Sequence, residues 1–229
     1  DLMYSLIHQQ VDAIVLVPID SKALVQPVVE AVRKGVPVIN IDIRLDTQLL
    51  EQAGVEVAFV GPDNFAAAYE VGKLLDKKLR NEDKVAIIEG LTAADNAQQR
   101  KRGFIKAIEE KGLRLVASEP ADWETEKAAE VFQAMWMRYP DLKAVYCSND
   151  AMALGVLQQM QEKNCYLPVV GFDNDAVMKE FLSTGKLVAT ADIFSSQMAV
   201  RGIEFALDVL EGKIENRGVH STAYEIIKQ

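Results

Sequence analysis

The chain has no long hydrophobic segment and no surplus of positive charge. None of its apolar runs approaches the roughly 20 residues that a membrane-spanning helix requires. Its 25 lysines and arginines face 34 aspartates and glutamates, which gives a net charge of −9. Nucleic acids and anionic lipids bind clustered basic side chains, so neither is expected as a partner. A small neutral or polar ligand fits this composition better.

Residue types that carry catalysis or bind metals are also scarce. The two histidines, His8 and His220, are far apart and lack the spacing of metal ligands. Cys147 has no nearby histidine to activate it. Glycine-rich phosphate-binding motifs do not occur, and no acid and base carboxylate pair is recognisable. The sequence therefore predicts a protein that is not an enzyme and needs neither a cofactor nor a metal.

The only cysteines, Cys147 and Cys165, fall at a strand end and just before the next strand. We interpret them as two buried free thiols, although their positions leave a disulfide across adjacent strands open.

Short apolar runs recur between segments with helical periodicity. A Val/Ile-rich run that alternates with amphipathic stretches is typical of a parallel strand covered on both faces. In open parallel sheets the ligand crevice lies beyond the carboxyl ends of the strands, so the polar residues after each run are the first candidates for function. The six runs are Ala13–Val17, Val36–Ile41, Val57–Val60, Val85–Ile88, Ala144–Tyr146 and Val169–Phe172.

The alternation predicts an α/β fold with doubly wound parallel sheets. One sheet of eight or nine strands is an alternative, but two smaller sheets suit the length better. Glycines 35 and 212 are expected to end helices, and a last strand is expected near 222–227. The predicted helices cover about 22–34, 64–80, 96–111, 124–138, 150–163, 174–183 and 195–211.

Three segments together resemble the second half of the periplasmic binding protein type I family. They are the stretch 144–155 (AVYCSNDAMALG), the stretch 169–173 (VVGFD) and the stretch 185–190 (GKLVAT). Ribose- and galactose-binding proteins of sugar import systems belong to this family, and the ligand cores of repressors related to the lactose repressor share the pattern. The resemblance covers nearly the whole chain.

The resemblance implies two α/β lobes with a ligand held between them. Lobe 1 would comprise 1–62 and 194–222, and lobe 2 would comprise 63–193 and 223–229, with hinge positions near Pro62, Ile193 and Thr222. Family members begin with a strand, a helix and a second strand before the point matched by Asp1. We therefore expect the chain to be a fragment, or to fold with that segment supplied separately, because the strand at 13–17 would otherwise have an unpaired edge.

Most ligand residues implied by the resemblance fall in lobe 2. Asp173 matches a carboxylate that accepts from sugar hydroxyls, and Asn149 matches an amide at the preceding strand tip. Arg100 matches a ligand arginine, and Trp123 an aromatic that lies against the sugar ring. Asn96 occupies a position used for a ligand carboxylate in the galactose-type members, and Phe172 could also contact the ligand.

Each of these residues has a structural alternative. Helix capping is the alternative role for Asp173, Asn149 and Asn96. Asn174 could cap in place of Asp173. Asp150 is interpreted as a helix cap. Arg100 could be a solvated charge beside Lys101 and Arg102. Trp123 and Phe172 could be core residues, and Trp136 is interpreted as core.

In the first lobe the chain departs from the ribose pattern. Asp42 follows a strand as the family aspartate does, but Ile43 separates it from Arg44. Val17 and Ile193 stand where ribose-type members carry an asparagine and a glutamine, with Asp192 beside Ile193 as another candidate. These differences put ribose itself in doubt.

The resulting hypothesis is an extracytoplasmic solute-binding protein, periplasmic or held at the membrane as a lipoprotein. It would capture a monosaccharide or related polyol by hinge closure and deliver it to the permease of an ABC importer, which would be its only membrane contact. The protein is expected to be a monomer. The alternatives are the effector core of a lactose-repressor-like regulator and the sugar-sensor domain of a membrane receptor.

Overall fold

The computed structural model describes residues 2–228, so the predicted lobe ends at Asp1 and Gln229 lie outside the described residues. Its strands are β1 (Ile14–Leu16), β2 (Val38–Ile41), β3 (Phe59–Pro62), β4 (Lys84–Glu89), β5 (Arg114–Pro120), β6 (Ala144–Cys147), β7 (Val169–Val170), β8 (Leu187–Asp192), β9 (Val219–Thr222) and β10 (Glu225–Lys228). Its helices are α1 (Leu2–His8), α2 (Val25–Arg33), α3 (Thr47–Gln52), α4 (Asn64–Asp76), α5 (Asp95–Lys111), α6 (Thr125–Arg138), α7 (Asp150–Glu162), α8 (Lys179–Ser183) and α9 (Ser195–Leu210).

The strands form two sheets, which confirms the α/β architecture and the preference for two sheets over one. The first has the order β1-β2-β3-β9 and is parallel throughout. The second has the order β10-β8-β7-β6-β4-β5 and is parallel except for β10, which runs antiparallel to β8. The central strands β2 and β6 are buried at every position, as expected for strands covered on both faces.

The chain divides into two compact units. Unit 1 contains Asp1–Pro62, Ala93–Asn96 and Phe194–Ala223, and unit 2 contains Asp63–Thr92, Ala97–Ile193 and Tyr224–Gln229. The short segment Ala93–Asn96 groups with unit 1 because Ala93 O accepts a hydrogen bond from Ser21 N (3.0 Å) and Ser21 Oγ accepts one from Asp95 N (2.9 Å).

Helix ends follow the expected local chemistry at several positions. Gly35 and Gly212 have φ of 84° and 70°, the left-handed conformation that glycine adopts after a helix. Asp63 Oδ1 accepts from Ala66 N and begins α4. Asp20 accepts from the backbone N–H groups of Lys22 and Ala23, but α2 starts only at Val25, so this aspartate closes a turn before the helix.

Three elements differ from the prediction. The last strand is divided in two: β9 joins the first sheet and β10 the second. The apolar run Val169–Phe172 keeps only two ladder residues, Val169 and Val170, in β7. Helix α3, which the apolar pattern did not indicate, forms because Asp46 Oδ1 accepts from Leu49 N at 3.0 Å.

Both cysteines are free thiols, but only one is fully buried as expected. Cys147 is buried in β6, and burial raises the pKa of its thiol. Cys165 is partly exposed, so the prediction of burial was wrong for this residue.

Candidate functional site

In unit 2, polar side chains gather beyond the carboxyl ends of β4, β6, β7 and β8. This is the edge at which parallel sheets bind ligands. Arg100, Phe172 and Asp173 lie in contact here, and the Trp123 ring lies beside the Arg100 guanidinium. The geometry thus brings together four of the predicted ligand residues.

Arg100 lies on α5 and is only 3% exposed. Its Nε donates to Asn64 Oδ1 (2.9 Å) and its Nη1 donates to Ser148 O (2.8 Å). Nη1 also lies 3.4 Å from Asp173 Oδ1. A buried guanidinium is costly unless paired, and these three acceptors compensate it.

Two aromatic rings flank this guanidinium. Its Cζ lies 3.7 Å from the centroid of Phe172 and 5.5 Å from that of Trp123. Phe172 is completely buried and therefore serves the core while it also forms one wall beside Arg100. Of the three adjacent basic residues, Arg100 points inward, Lys101 pairs with Glu89 (2.8 Å) and Arg102 is exposed.

Trp123 lies in the loop between β5 and α6 and is half-buried. Its ring occupies the space that a Cβ on Gly90 would need, since such a Cβ would lie 2.0 Å from the ring. Trp123 and Trp136 both pack against the same core cluster, and Trp136 does so beside Phe132, with ring centroids 5.5 Å apart, as expected.

Asp173 is held in an unusual backbone conformation. Asp173 and Asn174 have φ of 107° and 59°, which L-residues seldom adopt. Asp173 N donates to Ala191 O (2.7 Å), and the Asn174 side chain donates to Asp192 Oδ2 (2.9 Å). The helix predicted over about 174–183 begins later than expected: a short 3₁₀ turn (Ala176–Met178) precedes α8, and neither Asp173 nor Asn174 caps a helix.

The capping roles of Asn149 and Asp150 are the reverse of those expected. Asn149 Oδ1 accepts from Met152 N (2.9 Å) and caps α7. Asp150 is fully buried: its carboxylate accepts from Thr190 Oγ1 (2.9 Å) and from Asp175 N (2.9 Å). Burial raises the pKa of Asp150 to about 7, and the neighbouring carboxylates of Asp173 and Asp175 act in the same direction.

Three predicted residues lie in unit 1. Asp42 follows β2 with φ of 64°, and the Arg44 guanidinium lies 5.6 Å from the centroid of the Phe59 ring. Asn96 lies inside the first turn of α5 and so does not cap it. Its Oδ1 is buried and has no hydrogen-bond partner within the described part of the chain.

The sequence reasoning missed two positioning asparagines. Asn64 holds Arg100, as described above. Asn40, 1% exposed, donates to Ile43 O (2.8 Å) and accepts from Leu45 N (2.8 Å), which fixes the loop carrying Asp42 and Arg44. The sequence could have indicated Asn40, because a polar side chain inside an apolar strand requires hydrogen-bond partners.

Residues 2–228 contain no group of three or more His, Cys, Asp or Glu side chains arranged to hold a metal ion. Over the same residues, none of the helices combines the length and apolar character needed to cross a membrane.

Comparison with known proteins identifies a matching family and similar binding proteins. Residues 1–214 match the family described as periplasmic binding protein domain. The D-ribose/D-allose-binding protein of Pseudomonas aeruginosa is 42% identical over 231 residues, covering 99% of this chain and 72% of that protein. The D-allose-binding periplasmic protein of Escherichia coli is 34% identical and covers 90% of this chain and 68% of that protein.

Solved structures agree with these relatives. An ABC transporter solute binding protein from Burkholderia multivorans superimposes with a TM-score of 0.94 at 40% identity, covering 99% of this chain and 81% of that one. An ABC transporter periplasmic solute binding protein from Actinobacillus succinogenes, with bound D-allose, gives a TM-score of 0.92 at 32% identity, covering 99% and 82%. These relatives are binding proteins of transport systems and not enzymes. The chain belongs to the periplasmic binding protein domain family.

Proposed function

We propose that this protein is an extracytoplasmic solute-binding protein that captures a monosaccharide or related polyol and delivers it to an ABC importer. The observation that carries the proposal is the buried Arg100, fixed by Asn64 and Ser148, paired with Asp173 and flanked by Phe172 and Trp123. The ribose- and allose-binding relatives support the sugar class, and the extracytoplasmic location follows from the family.

The chemistry of a sugar ring matches this arrangement. Hydroxyls around the ring need donors and acceptors, which a guanidinium and a carboxylate supply as charge-assisted hydrogen bonds. The C–H faces need flat apolar surfaces, which aromatic rings provide. Asp173, 27% exposed at its side chain, keeps surface available to a ligand while Arg100 holds it.

Further contacts are assigned by the resemblance and supported by burial. Asn96 carries a buried amide oxygen with no partner among residues 2–228, and a ligand hydroxyl would remove that cost. Asp42, Arg44, Asn149 and Asp192 complete the proposed set. Of these, Asn149 already caps α7 through Oδ1, so its contribution would come from Nδ2.

The alternative of a repressor effector core is less well supported, because the similar proteins named above are solute-binding proteins of transporters. Recognition by a specific permease and a monomeric state remain parts of the proposal.

Calorimetric titration against D-ribose, D-allose, D-galactose, xylitol and myo-inositol tests the function. We expect at least one tight ligand in this panel. Replacing Arg100 by Met removes the charge-assisted donors and leaves Asp173 without its cation, so affinity should fall about 100-fold or more. Arg102→Met, on the exposed side of the same helix, is the control and should bind as the wild type does.

Absence of binding to every member by a folded wild-type protein would contradict the proposal. Equal affinities of the wild type and Arg100→Met would contradict the assignment of the site.

A further inference from the structure

We infer that Asp122 and Lys127 form a positioning ion pair that fixes the Trp123 ring at the sugar site and thereby sets ligand affinity. The inference rests on the proposed function for its ligand. Neither residue belongs to the proposed ligand set, and both act through the loop between β5 and α6.

The loop adopts a strained backbone at two adjacent residues. Asp122 and Trp123 have φ of 52° and 70°, both in the left-handed region. This conformation is unfavourable for an L-residue, and a bulky side chain such as tryptophan rarely adopts it. Without specific contacts, this loop would relax and carry the indole ring away from its position.

Backbone contacts fix the two ends of the loop. Ala121 N donates to Glu89 O (2.9 Å), which ties the start of the loop to the end of β4. Glu124 N donates to Ala121 O (2.8 Å), which closes the turn before α6. These bonds hold residues 121 and 124, while the two strained residues lie between them.

The Asp122 side chain supplies the contact inside the turn. Its Oδ2 accepts a hydrogen bond from Lys127 Nζ on the first turn of α6. The same contact raises the pKa of Lys127, consistent with a lysine held by a carboxylate. The pair therefore links the strained residue directly to a regular helix.

Gly90 leaves the space that the Trp123 ring occupies. Because Gly90 has no side chain, the indole can approach the end of β4 closely; a Cβ at position 90 would collide with the ring. The guanidinium of Arg100 lies 5.5 Å from the ring centroid on the site side. A ring already placed in this way loses little conformational freedom when a sugar binds, which favours affinity.

Replacing Lys127 by Met keeps the aliphatic stem and removes the charge. We expect sugar affinity to fall about threefold to tenfold, because the surface ion pair is modest in energy but opposes the relaxation of a strained loop. Asp122→Asn should act in the same direction. Lys127→Arg preserves the pair and should restore near wild-type affinity.

A second readout needs no ligand. The chain has two tryptophans, so a Trp136→Phe background leaves Trp123 as the only indole reporter. In this background Lys127→Met should increase acrylamide quenching of Trp123 and broaden its emission, because the indole would no longer be held against Gly90 and would become more accessible to solvent. Lys127→Arg should not.

Lys84→Met is the matched control, because it breaks another ion pair of unit 2, Lys84 with Asp141 at 2.7 Å, whose lysine is about as exposed as Lys127 (31% against 41%). It should change neither readout. Unchanged quenching or unchanged affinity in Lys127→Met, or an equal effect of Lys84→Met, would overturn the inference. If the wild type binds no sugar, the proposed function fails, and the quenching experiment still decides whether the pair positions Trp123.

Discussion

The buried carboxylate of Asp150 accepts hydrogen bonds from Thr190 Oγ1 and Asp175 N and still has a raised pKa of about 7, because burial disfavours its charged form. Its ionised form is disfavoured in the folded state relative to the unfolded state. Asp150 therefore destabilises the fold progressively as the pH rises from the ordinary aspartate range through about 7.

Replacing Asp150 by Asn should flatten the pH dependence of stability. Between pH 5 and pH 8.5 the wild type should lose about 2–3 kcal/mol from this carboxyl, and the variant should not. Chemical denaturation at a series of pH values measures the slope. Asp141→Asn is the control: Lys84 lowers the pKa of Asp141, so that carboxyl is ionised in both states over this range and its loss should leave the slope unchanged.

Sequence reasoning succeeded or failed at single residues for definable reasons. Arg100 was selected from three consecutive basic residues because the family resemblance places a ligand arginine at this position, and the structure buries its side chain. Asn149 and Asp150 could not be told apart, because both are capping residue types and a shift of one position exchanges cap and first helical residue. Asn64 was not recognised as the partner of Arg100, because the two residues lie 36 positions apart in the sequence.

Among the elements, α6 and α7 are packed closely enough to make a single methyl group costly. A Cβ on Gly155 of α7 would lie 2.0 Å from the backbone oxygen of Thr125 at the start of α6. Backbone atoms cannot rotate away as a side chain does, so the helices would have to separate.

Gly155→Ala should therefore destabilise the protein by roughly 1–3 kcal/mol, although alanine is the better helix former. Urea denaturation measures the change. Gln158→Ala on the exposed side of α7 improves helix propensity without any such contact, and it should be neutral or slightly stabilising. A Gly155→Ala variant as stable as the wild type would show that α6 and α7 can move apart freely.

Element type was easier to predict than strand direction. The runs of Val and Ile identified most strands, because burial on both faces leaves a continuous apolar signature. The direction of β10 had no such signature, because parallel and antiparallel partners require the same residue types at a half-buried edge. The division between β9 and β10 depends on sheets formed by distant segments, which a local pattern does not encode.

At the scale of the whole molecule, sugar binding should appear as thermal stabilisation. A ligand that binds only the folded state at 100 times its Kd adds about 2.7 kcal/mol, which corresponds to about 5–10 °C for a protein of this size. Calorimetric scans with the best sugar of the panel and with a non-binding sugar at equal concentration measure the shift. Arg100→Met should shift by no more than about 1–2 °C at the same concentration. Equal shifts with every sugar would indicate a solvent effect in place of a site.

The contact between Gly90 and Trp123 also constrains how this site can evolve. A larger residue at position 90 is excluded while the indole lies there, so the order in which positions 90 and 123 can be substituted is restricted. Replacement of the indole by a smaller ring would have to come first, and only then could position 90 acquire a side chain. Changes of ligand specificity at this site are therefore expected to require two substitutions, a smaller aromatic residue at position 123 followed by a larger residue at position 90.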